Sequence, residues 1–367
     1  MNTVKIGIIG CGNISGQYLK GLGQFPILEI AAAADLIAER SEKVAKEVKT
    51  ARACTVEQLL ADKSIQIVVN LTIPKVHGEV AMQVIGAGKH VYNEKPLALD
   101  RAEGKRLLDA AKKKGVRVGG APDTFMGAGI QACRKLVDEG ALGDVVAGSA
   151  YMLCGGHEGW HPAPEFYYKV GGGPMLDMGP YYLTALVQLL GPIKSVAGAA
   201  RITRPTRTIG SQPLKGTVIQ VETPDHVAGV VEFASDAIVT IATSFATPVN
   251  THAPITLFGS KATLVVPDPN GFDGVPQLVT GGKDRPRQDV KHVHMTGYLR
   301  GVGVADMAYA IQSGRPHRAS GEQCYMVLDA MQGLLESAKT GKRHTIEAQA
   351  PRTASLPAGL AAGELDK

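Results

Sequence analysis

Two rhythms of apolar and polar residues divide the chain. Up to about residue 125, short apolar runs rich in β-branched residues alternate with stretches whose apolar positions recur at helical intervals. Val4 to Ile9, Ile30 to Ala34, Ile65 to Leu71, His90 to Tyr92 and Val116 to Gly119 read as strands, and His77 to Ala87 and Arg101 to Lys114 as helices among them. Such alternation predicts a doubly wound parallel sheet. Past about residue 145 the strands lengthen and the helices between them drop out. Ala228 to Phe233 and Ala237 to Phe245 flank the hairpin-length Ala234-Ser235-Asp236, and Pro254 to Gly259 and Ala262 to Val266 flank Ser260-Lys261. Val239, Ile241 and Phe245 fall on one strand face and Thr240 and Ser244 on the other, which predicts an antiparallel sheet, apolar on one side and mixed on the other. A helix is expected over Tyr182 to Leu190. Another follows Ser320 and Gln323, which have capping-box spacing, with Tyr325, Met326, Ala330, Leu334 and Leu335 at helical intervals. The expected division is an α/β domain over 1–125, an α/β substrate and oligomerisation domain over 126–350, and a loosely held tail over 351–367 rich in Ala, Pro and Gly.

The first apolar run leads straight into Gly10-Cys11-Gly12-Asn13-Ile14-Ser15-Gly16, a glycine turn between strand and helix. Such a turn suits a pyrophosphate. Gly10 makes the bend, Gly12 lets the backbone approach, and the helix start offers free N–H groups and the positive end of its dipole. Ser15 is small enough for close helix–strand packing. The second run ends in Asp35, where an acid takes an adenine ribose 2′-hydroxyl and repels a 2′-phosphate, so NAD is preferred over NADP. Arg40 keeps NADP as the alternative, since a nearby Arg accepts the extra phosphate. A helix-capping Asp35 is the purely structural alternative.

Composition narrows the function classes. At 367 residues the chain has room for two cores. A net charge of +5 without any block of like charges, together with 5% aromatic residues, gives no footing for nucleic acid. Lys112-Lys113-Lys114 reads as a solvated helix end before Gly115. Five scattered cysteines without C-x-x-C spacing suit a reducing compartment and supply neither a zinc site nor a disulfide framework. With no stretch of ~18 apolar residues and no basic-then-apolar leader, a cytoplasmic protein without a membrane partner is expected. No metal is expected either, because His157 and His161 have no acid or thiol at a recognised ligand spacing.

Further motifs follow the glycine turn and Asp35: Thr72-Ile73-Pro74 with His77, then Glu94-Lys95-Pro96, then the run from Gly171 through Asp177 to Gly179. In this order and spacing the chain resembles the Gfo/Idh/MocA family of NAD(P)-dependent sugar and polyol oxidoreductases. The resemblance implies an N-terminal Rossmann fold, then an open-faced, mainly antiparallel sheet domain flanked by helices, with the active site in the cleft between them. It implies a homodimer or homotetramer formed through the outer face of that sheet. Cofactor contacts are implied for Gly10, Gly12, Asn13, Ile14, Asp35, Thr72, Pro74, His77, Glu94 and Lys95, with Glu94 nearer the ribose and Lys95 close to substrate and nicotinamide. Two positions depart from the family pattern. Tyr181 stands where most members carry an acid/base His, and Asp123 where many have an Asn-Arg-type turn.

Hydride transfer needs a group that takes the hydroxyl proton and a positive neighbour for the developing alkoxide. Lys95 fits the second role, presented by Pro96, which is a candidate cis proline. For the first role two assignments stay open. Either Tyr181 is the acid/base, its phenol made more acidic by the Lys95 ammonium while Asp177 orients substrate, or Asp177 is the base and Tyr181 binds a sugar hydroxyl. Plain aromatic packing of Tyr181 and Tyr182 is the structural alternative. The loop from Gly155 to Pro162 carries the single Trp, Trp160, flanked by His157, Glu158 and His161, a platform suited to a pyranose. Asp123 is a further expected substrate contact. Tyr298 and Arg300 are expected near the cleft unless Arg300 pairs with Asp306. The favoured activity is NAD-dependent dehydrogenation or reduction at a hydroxyl or keto carbon of a sugar, glycoside or cyclitol. Redox-neutral glycoside cleavage by oxidation and elimination, and a non-catalytic nucleotide or sugar sensor, are the alternatives.

Overall fold

The N-terminal rhythm becomes a parallel sheet of six strands: β1 (Val4–Ile9), β2 (Leu28–Ala34), β3 (Arg52–Ala53), β4 (Ile67–Asn70), β5 (His90–Asn93) and β6 (Val118–Gly120). Their spatial order is β3-β2-β1-β4-β5-β6. Helices α1 (Ser15–Leu22), α2 (Ala38–Glu47), α3 (Val56–Ala61), α4 (His77–Gly86) and α5 (Arg101–Lys114) connect them. Ile6, Ile8, Ile67, Val68, Val69 and Val91 have no solvent exposure, as continuous apolar runs require in a sheet covered on both faces. The strand order reverses between β1 and β4, so the ligand crevice of this unit lies beyond the carboxyl ends of those two strands. Helix α5 keeps both its expected ends. Asp100 caps its start by accepting the Glu103 N–H at 2.8 Å, and Gly115 ends it with φ +68° after the three lysines.

The computed structural model describes residues 2–282 and 285–366. They form two units, one of Met1–Gln131, His292–Tyr325 and Thr353–Lys367, the other of Ala132–Lys291 and Met326–Arg352. After α6 (Ala128–Asp138), β7 (Val145–Leu153) and α7 (Pro174–Leu190), the chain runs through β8 (Ile193–Arg201), β9 (Thr206–Thr208), β10 (Val218–Gln220), β11 (His226–Phe233) and β12 (Ile238–Ser244). It continues with β13 (Ile255–Gly259), β14 (Ala262–Val266), β15 (Gln277–Thr280), β16 (Arg287–Asp289), α8 (Val302–Ser313), α9 (Gly321–Thr340) and β17 (His344–Thr345). The second unit is built on a nine-stranded sheet ordered β16-β15-β14-β13-β7-β12-β11-β8-β17. Both expected hairpins form. The sheet is mixed, however, because β7 runs parallel to β12. One face is packed: Val239, Ile241, Leu257 and Leu264 are buried. On the other face Ile238 and Phe258 both sit opposite Ala147, and they are 47% and 44% exposed. This face is mixed, with Thr240, Ser149 and Thr256 forming the next row.

Three expectations are corrected. The helix foreseen from Tyr182 begins at Pro174, so Asp177 and Tyr181 lie within α7. Gly173, at φ +87°, makes the entry turn against the Pro224 carbonyl, and Pro174 takes a helix-start position where its missing N–H costs nothing. The tail is not loosely held. Leu356 and Leu365 are 3% exposed, the Leu356 N–H donates to Gln131 at 2.8 Å, and Asp366 accepts from Arg318 at 2.6 Å. Arg300 does not take Asp306, which is fully buried and paired with Arg315 at 2.7 Å and Arg318 at 2.6 Å. Tyr298 is likewise turned inward, its hydroxyl donating to the Glu364 carbonyl at 3.4 Å.

Three histidines couple the first unit to pH. His77 and His317 are buried and His90 half-buried. Burial holds all three imidazoles below their ordinary range, His90 at about 4. At His90 the Arg117 charge adds to this, and Nδ1 accepts the Arg117 backbone N–H at 2.8 Å. A depressed imidazole contributes stability that is complete above the unfolded value of about 6.5 and is lost as pH falls toward the folded value, because the unfolded chain takes up the proton first. Urea unfolding followed from about pH 7.5 down to about pH 4.5 is expected to show a falling midpoint with net proton uptake. His90→Gln should flatten that slope.

Candidate active site

The glycine turn is built for a phosphate. At Gly10, φ is +94° and a Cβ would lie 2.7 Å from the Leu71 carbonyl, so only glycine lets the loops after β1 and β4 approach. A Cβ on Gly12 would meet nothing within 4 Å, and Gly12 and Asn13 are exposed. Ile14 stands at the N-cap of α1 without a side-chain cap, the Ser15 and Gln17 N–H groups donate to the Gly12 and Ile14 carbonyls at 3.1 and 3.0 Å, and the positive end of the helix dipole faces the turn. Asp35 is fixed at the end of β2: Oδ2 accepts the Cys11 N–H at 2.7 Å and Oδ1 the Ile37 N–H at 2.9 Å. The acid that would read a ribose is thus tied to the turn that would hold the pyrophosphate. Helix α2 is not capped by Asp35, since its N-cap is Ile37. Arg40 approaches Asp35 only to 3.9 Å and is half exposed. Leu36 is 99% exposed and Ile73 65%. These apolar side chains beside Asp35 and Thr72 suit the faces of a planar base, and isolated apolar residues carry no periodic signal in sequence. The donor set fits NAD, with the open helix start for the pyrophosphate and Asp35 for the ribose.

The loops after β4 and β5 are tied together by buried polar groups. Asn70, fully buried, donates to Asn93 Oδ1 at 3.0 Å and to the His77 carbonyl at 3.1 Å, and its Oδ1 accepts the Thr72 hydroxyl at 2.7 Å. The His77 ring faces the Pro96 carbonyl with Nδ1 at 2.8 Å and the Thr72 carbonyl with Nε2 at 2.9 Å. His77 is 1% exposed, so it shapes the cofactor loop from beneath. Pro74, half-buried, opens the short turn Pro74–Val76 between them. Glu94 is placed likewise: Tyr18 donates to one oxygen at 2.7 Å and the Lys95 N–H to the other at 2.9 Å. Burial pushes the Tyr18 phenol well above its usual range, so it stays a donor. The Lys95–Pro96 peptide is cis, and Lys95 is half-buried. Asn70, Asn93 and Tyr18 are supporting positions that the motifs do not name, although an Asn closing each of two apolar strands is a signal in plain view. Asp123 is a correction. It is fully buried, and its Oδ2 accepts the Gly301 and Gly303 N–H groups at 2.7 and 3.0 Å, seating the start of α8. Burial raises its carboxyl above the usual range. It is a structural acid, without access to substrate.

In the second unit α7 carries Asp177 and, one turn on and 4% exposed, Tyr181. His157, from the loop after β7, faces Asp177 with Nε2 3.3 Å from Oδ2. Its ring packs on Tyr167 at 4.3 Å and Phe245 at 4.5 Å, and Trp160, 62% exposed, lies 5.3 Å away edge-on. His161 is half-buried, and burial lowers its imidazole; its Nδ1 accepts the Ala163 N–H at 3.1 Å. The loop is held from below by Arg207, which donates to Glu158 at 2.9 Å, to Asp225 at 2.8 Å and to the Gly155 carbonyl at 3.1 Å, over the ring of Tyr168. Tyr168 donates to Glu158 and accepts the His157 N–H at 3.0 Å. Burial alone would raise the carboxyls of Glu158 and Asp225, yet their bonds to Arg207, Tyr168 and Thr203 hold both below the usual range. No local pattern links Arg207 to Asp225, so this clamp is invisible in sequence. Among the described residues no group of His, Cys, Asp and Glu could hold a metal ion, and no helix is long and apolar enough to cross a membrane.

Known proteins match both units. Residues 4–121 match a family model for an oxidoreductase family with an NAD-binding Rossmann fold, and residues 130–265 match the GFO/IDH/MocA C-terminal domain. A dTDP-3,4-didehydro-2,6-dideoxy-alpha-D-glucose 3-reductase of Streptomyces violaceoruber is 30% identical over 202 residues, which cover 54% of this chain and 58% of that protein. This chain therefore spans little more than half the length of that relative. A D-glucoside 3-dehydrogenase of Escherichia coli (strain K12) is 25% identical over 360 residues, 93% of this chain and 97% of that protein. The crystal structure of an NAD binding oxidoreductase from Klebsiella pneumoniae shares the fold, with a TM-score of 0.80 at 21% identity over 94% of this chain and 99% of that one.

Arg207 is 3% exposed between two carboxylates, so Arg207→Ala strands both charges. A loss of roughly 3–5 kcal/mol in unfolding free energy is expected from denaturant titration. Arg207→Lys should recover only part of it, since an ammonium cannot span three acceptors in the geometry of a planar fork.

Proposed function

The chain belongs to the Gfo/Idh/MocA oxidoreductase family, and from that premise we propose that it transfers hydride between NAD and a hydroxyl or keto carbon of a sugar, glycoside or cyclitol. The observation that carries this reading is Asp35 fastened to the Cys11 N–H, which joins ribose and pyrophosphate recognition at the strand ends where a dinucleotide binds. The bound nicotinamide supplies a two-electron hydride acceptor or donor. Lys95, its backbone braced by Glu94, places an ammonium beside the oxygen whose charge changes. Asp177 and Tyr181 take or return the hydroxyl proton. Trp160 offers an exposed aromatic face to a sugar ring. The relatives acting on a dTDP-linked keto sugar and on a glucoside support that substrate class. Arg40, at 3.9 Å and half exposed, leaves NAD preferred over NADP.

The same reading places the protein in the cytoplasm as a homodimer or homotetramer. Five free cysteines suit a reducing compartment, and the row Ile238, Ala147 and Phe258 suits a second copy of the sheet. Replacing Phe258 and Ile238 together with Glu is expected to lower the mass seen in sedimentation to that of a monomer while leaving the fold intact by circular dichroism.

Incubating the protein with NAD or NADP and a panel of monosaccharides, glycosides and inositols tests the activity. Reduced nicotinamide accumulating with one sugar class and NAD is the expected result. Lys95→Met should then lower kcat roughly 10²–10³-fold while cofactor affinity stays within about 2-fold. Cleaved glycoside without reduced nicotinamide, or no turnover on any sugar, would refute the proposal.

A further inference from the structure

His157 is held more tightly than a surface-loop residue needs to be. Tyr167 and Phe245 pack against its ring, its backbone N–H is bonded to Tyr168, and the Arg207–Glu158 clamp fixes the loop beneath. This restraint delivers Nε2 to 3.3 Å from Asp177 Oδ2, with the two side chains only 12% and 15% exposed. Asp177 sits on α7 and His157 on a separate loop, so the pair is made by tertiary structure alone. A lone carboxylate is a weak base toward an alcohol at neutral pH, whereas an imidazole titrates in that range. The other titratable groups around His157 are Glu158 and His161 on its own loop, Tyr167 and Tyr168 from the following turn, Cys154 before it, and Arg207 on β9. Glu158 is already engaged by Arg207 and Tyr168, which leaves Asp177 as the carboxylate turned toward the imidazole.

We propose that His157 and Asp177 form one proton relay, in which Asp177 accepts the proton of a substrate hydroxyl and His157 carries it to solvent. The inference rests on the proposed oxidoreductase function. On oxidation the O–H bond breaks, and its proton passes to the Asp177 carboxylate and then to Nε2 of neutral His157. The oxygen electron pair closes the C=O bond as the C–H hydride departs with its own pair to the oxidised nicotinamide. The imidazolium then loses its proton to water. Reduction runs the same path in reverse. His157 acts through Asp177, so it is a positioning and relay residue.

Two measurements on the full chain decide the matter. In the first, the His157 imidazole resonances, assigned by their absence in His157→Gln, are titrated by NMR from about pH 5 to about pH 9 in wild type and in Asp177→Asn. The proposal expects the His157 midpoint to differ between wild type and the Asn variant, since the carboxylate 3.3 Å from Nε2 interacts with the imidazole and an amide lacks its charge. An unmoved midpoint overturns it, and this result does not depend on any substrate. In the second, His157→Gln is expected to lower kcat at least about 10-fold and to remove the limb near neutrality from the pH profile, with KM and cofactor affinity within about 2-fold of wild type. A wild-type pH profile in that variant overturns the relay while leaving sugar oxidation standing. If the wild-type protein oxidises no sugar, the functional reading fails instead, and the relay as a catalytic device falls with it even where the NMR midpoint shifts. If His157→Gln unfolds, His157→Asn supplies the assignment, and the Asp177→Asn titration then supports or overturns the coupling.

Discussion

The contacts of His77 with the carbonyls of Thr72 and Pro96 are the constraint on which the first unit's chemistry rests. Two loops leave adjacent strands at the carboxyl edge of the sheet, one after β4 carrying Thr72 and Pro74 and the other after β5 carrying Lys95. Beyond the short turn Pro74–Val76, the Thr72 and Pro96 carbonyls find their partner in the imidazole. The imidazole faces one carbonyl of each loop, and Asn70 and Asn93 add bonds to the His77 and Leu97 carbonyls and to each other. A neutral ring can donate to only one of two carbonyls, yet burial favours the neutral form. The ring therefore sits between a charge that burial disfavours and a second acceptor that only the charge would satisfy. That tension is tolerable because the asparagines carry most of the bonding load. The outcome is a platform in which the backbone around Lys95 is positioned by buried polar groups.

The second unit reaches the same end with different means. There the site side chains stand on one helix and one loop, and rigidity comes from charge: Arg207 between Glu158 and Asp225 under a loop that would otherwise be free to move. Each site thus rests on a layer of polar groups sealed from water, where bonds left unmade are expensive.

Much of this was legible in the chain. β1, α5 and β14 fall where periodicity puts them, because each has an unbroken pattern and a clear terminator such as Gly115. The glycine turn and Asp35 were legible because a phosphate turn is a local device. The start of α7 was not, since three glycines and two prolines read as loop until Gly173 is seen folding back against the Pro224 carbonyl. Asp123 looked like a ligand reader because it stands where many family members have an Asn-Arg-type turn; its partners, Gly301 and Gly303, lie 178 and 180 residues away. His157 with Asp177 and Arg207 with Asp225 belong to the same class. Pairings across elements have no period, and only the folded chain brings them together.

That separation bears on how the first unit is made. Its parallel sheet is complete by residue 120, but the buried Asp123 carboxylate waits for the backbone N–H groups that open α8, and Arg318 waits for Asp366. At ribosomal speed the 178 residues between Asp123 and Gly301 take roughly 9–36 s to emerge. During that interval the larger segment of the second unit, Ala132–Lys291, is synthesised, while the first unit is held open with an unpaired acid at its heart. The nucleotide-binding half begins first and closes last, so its early strands stay exposed to chaperones and to misassociation for most of translation.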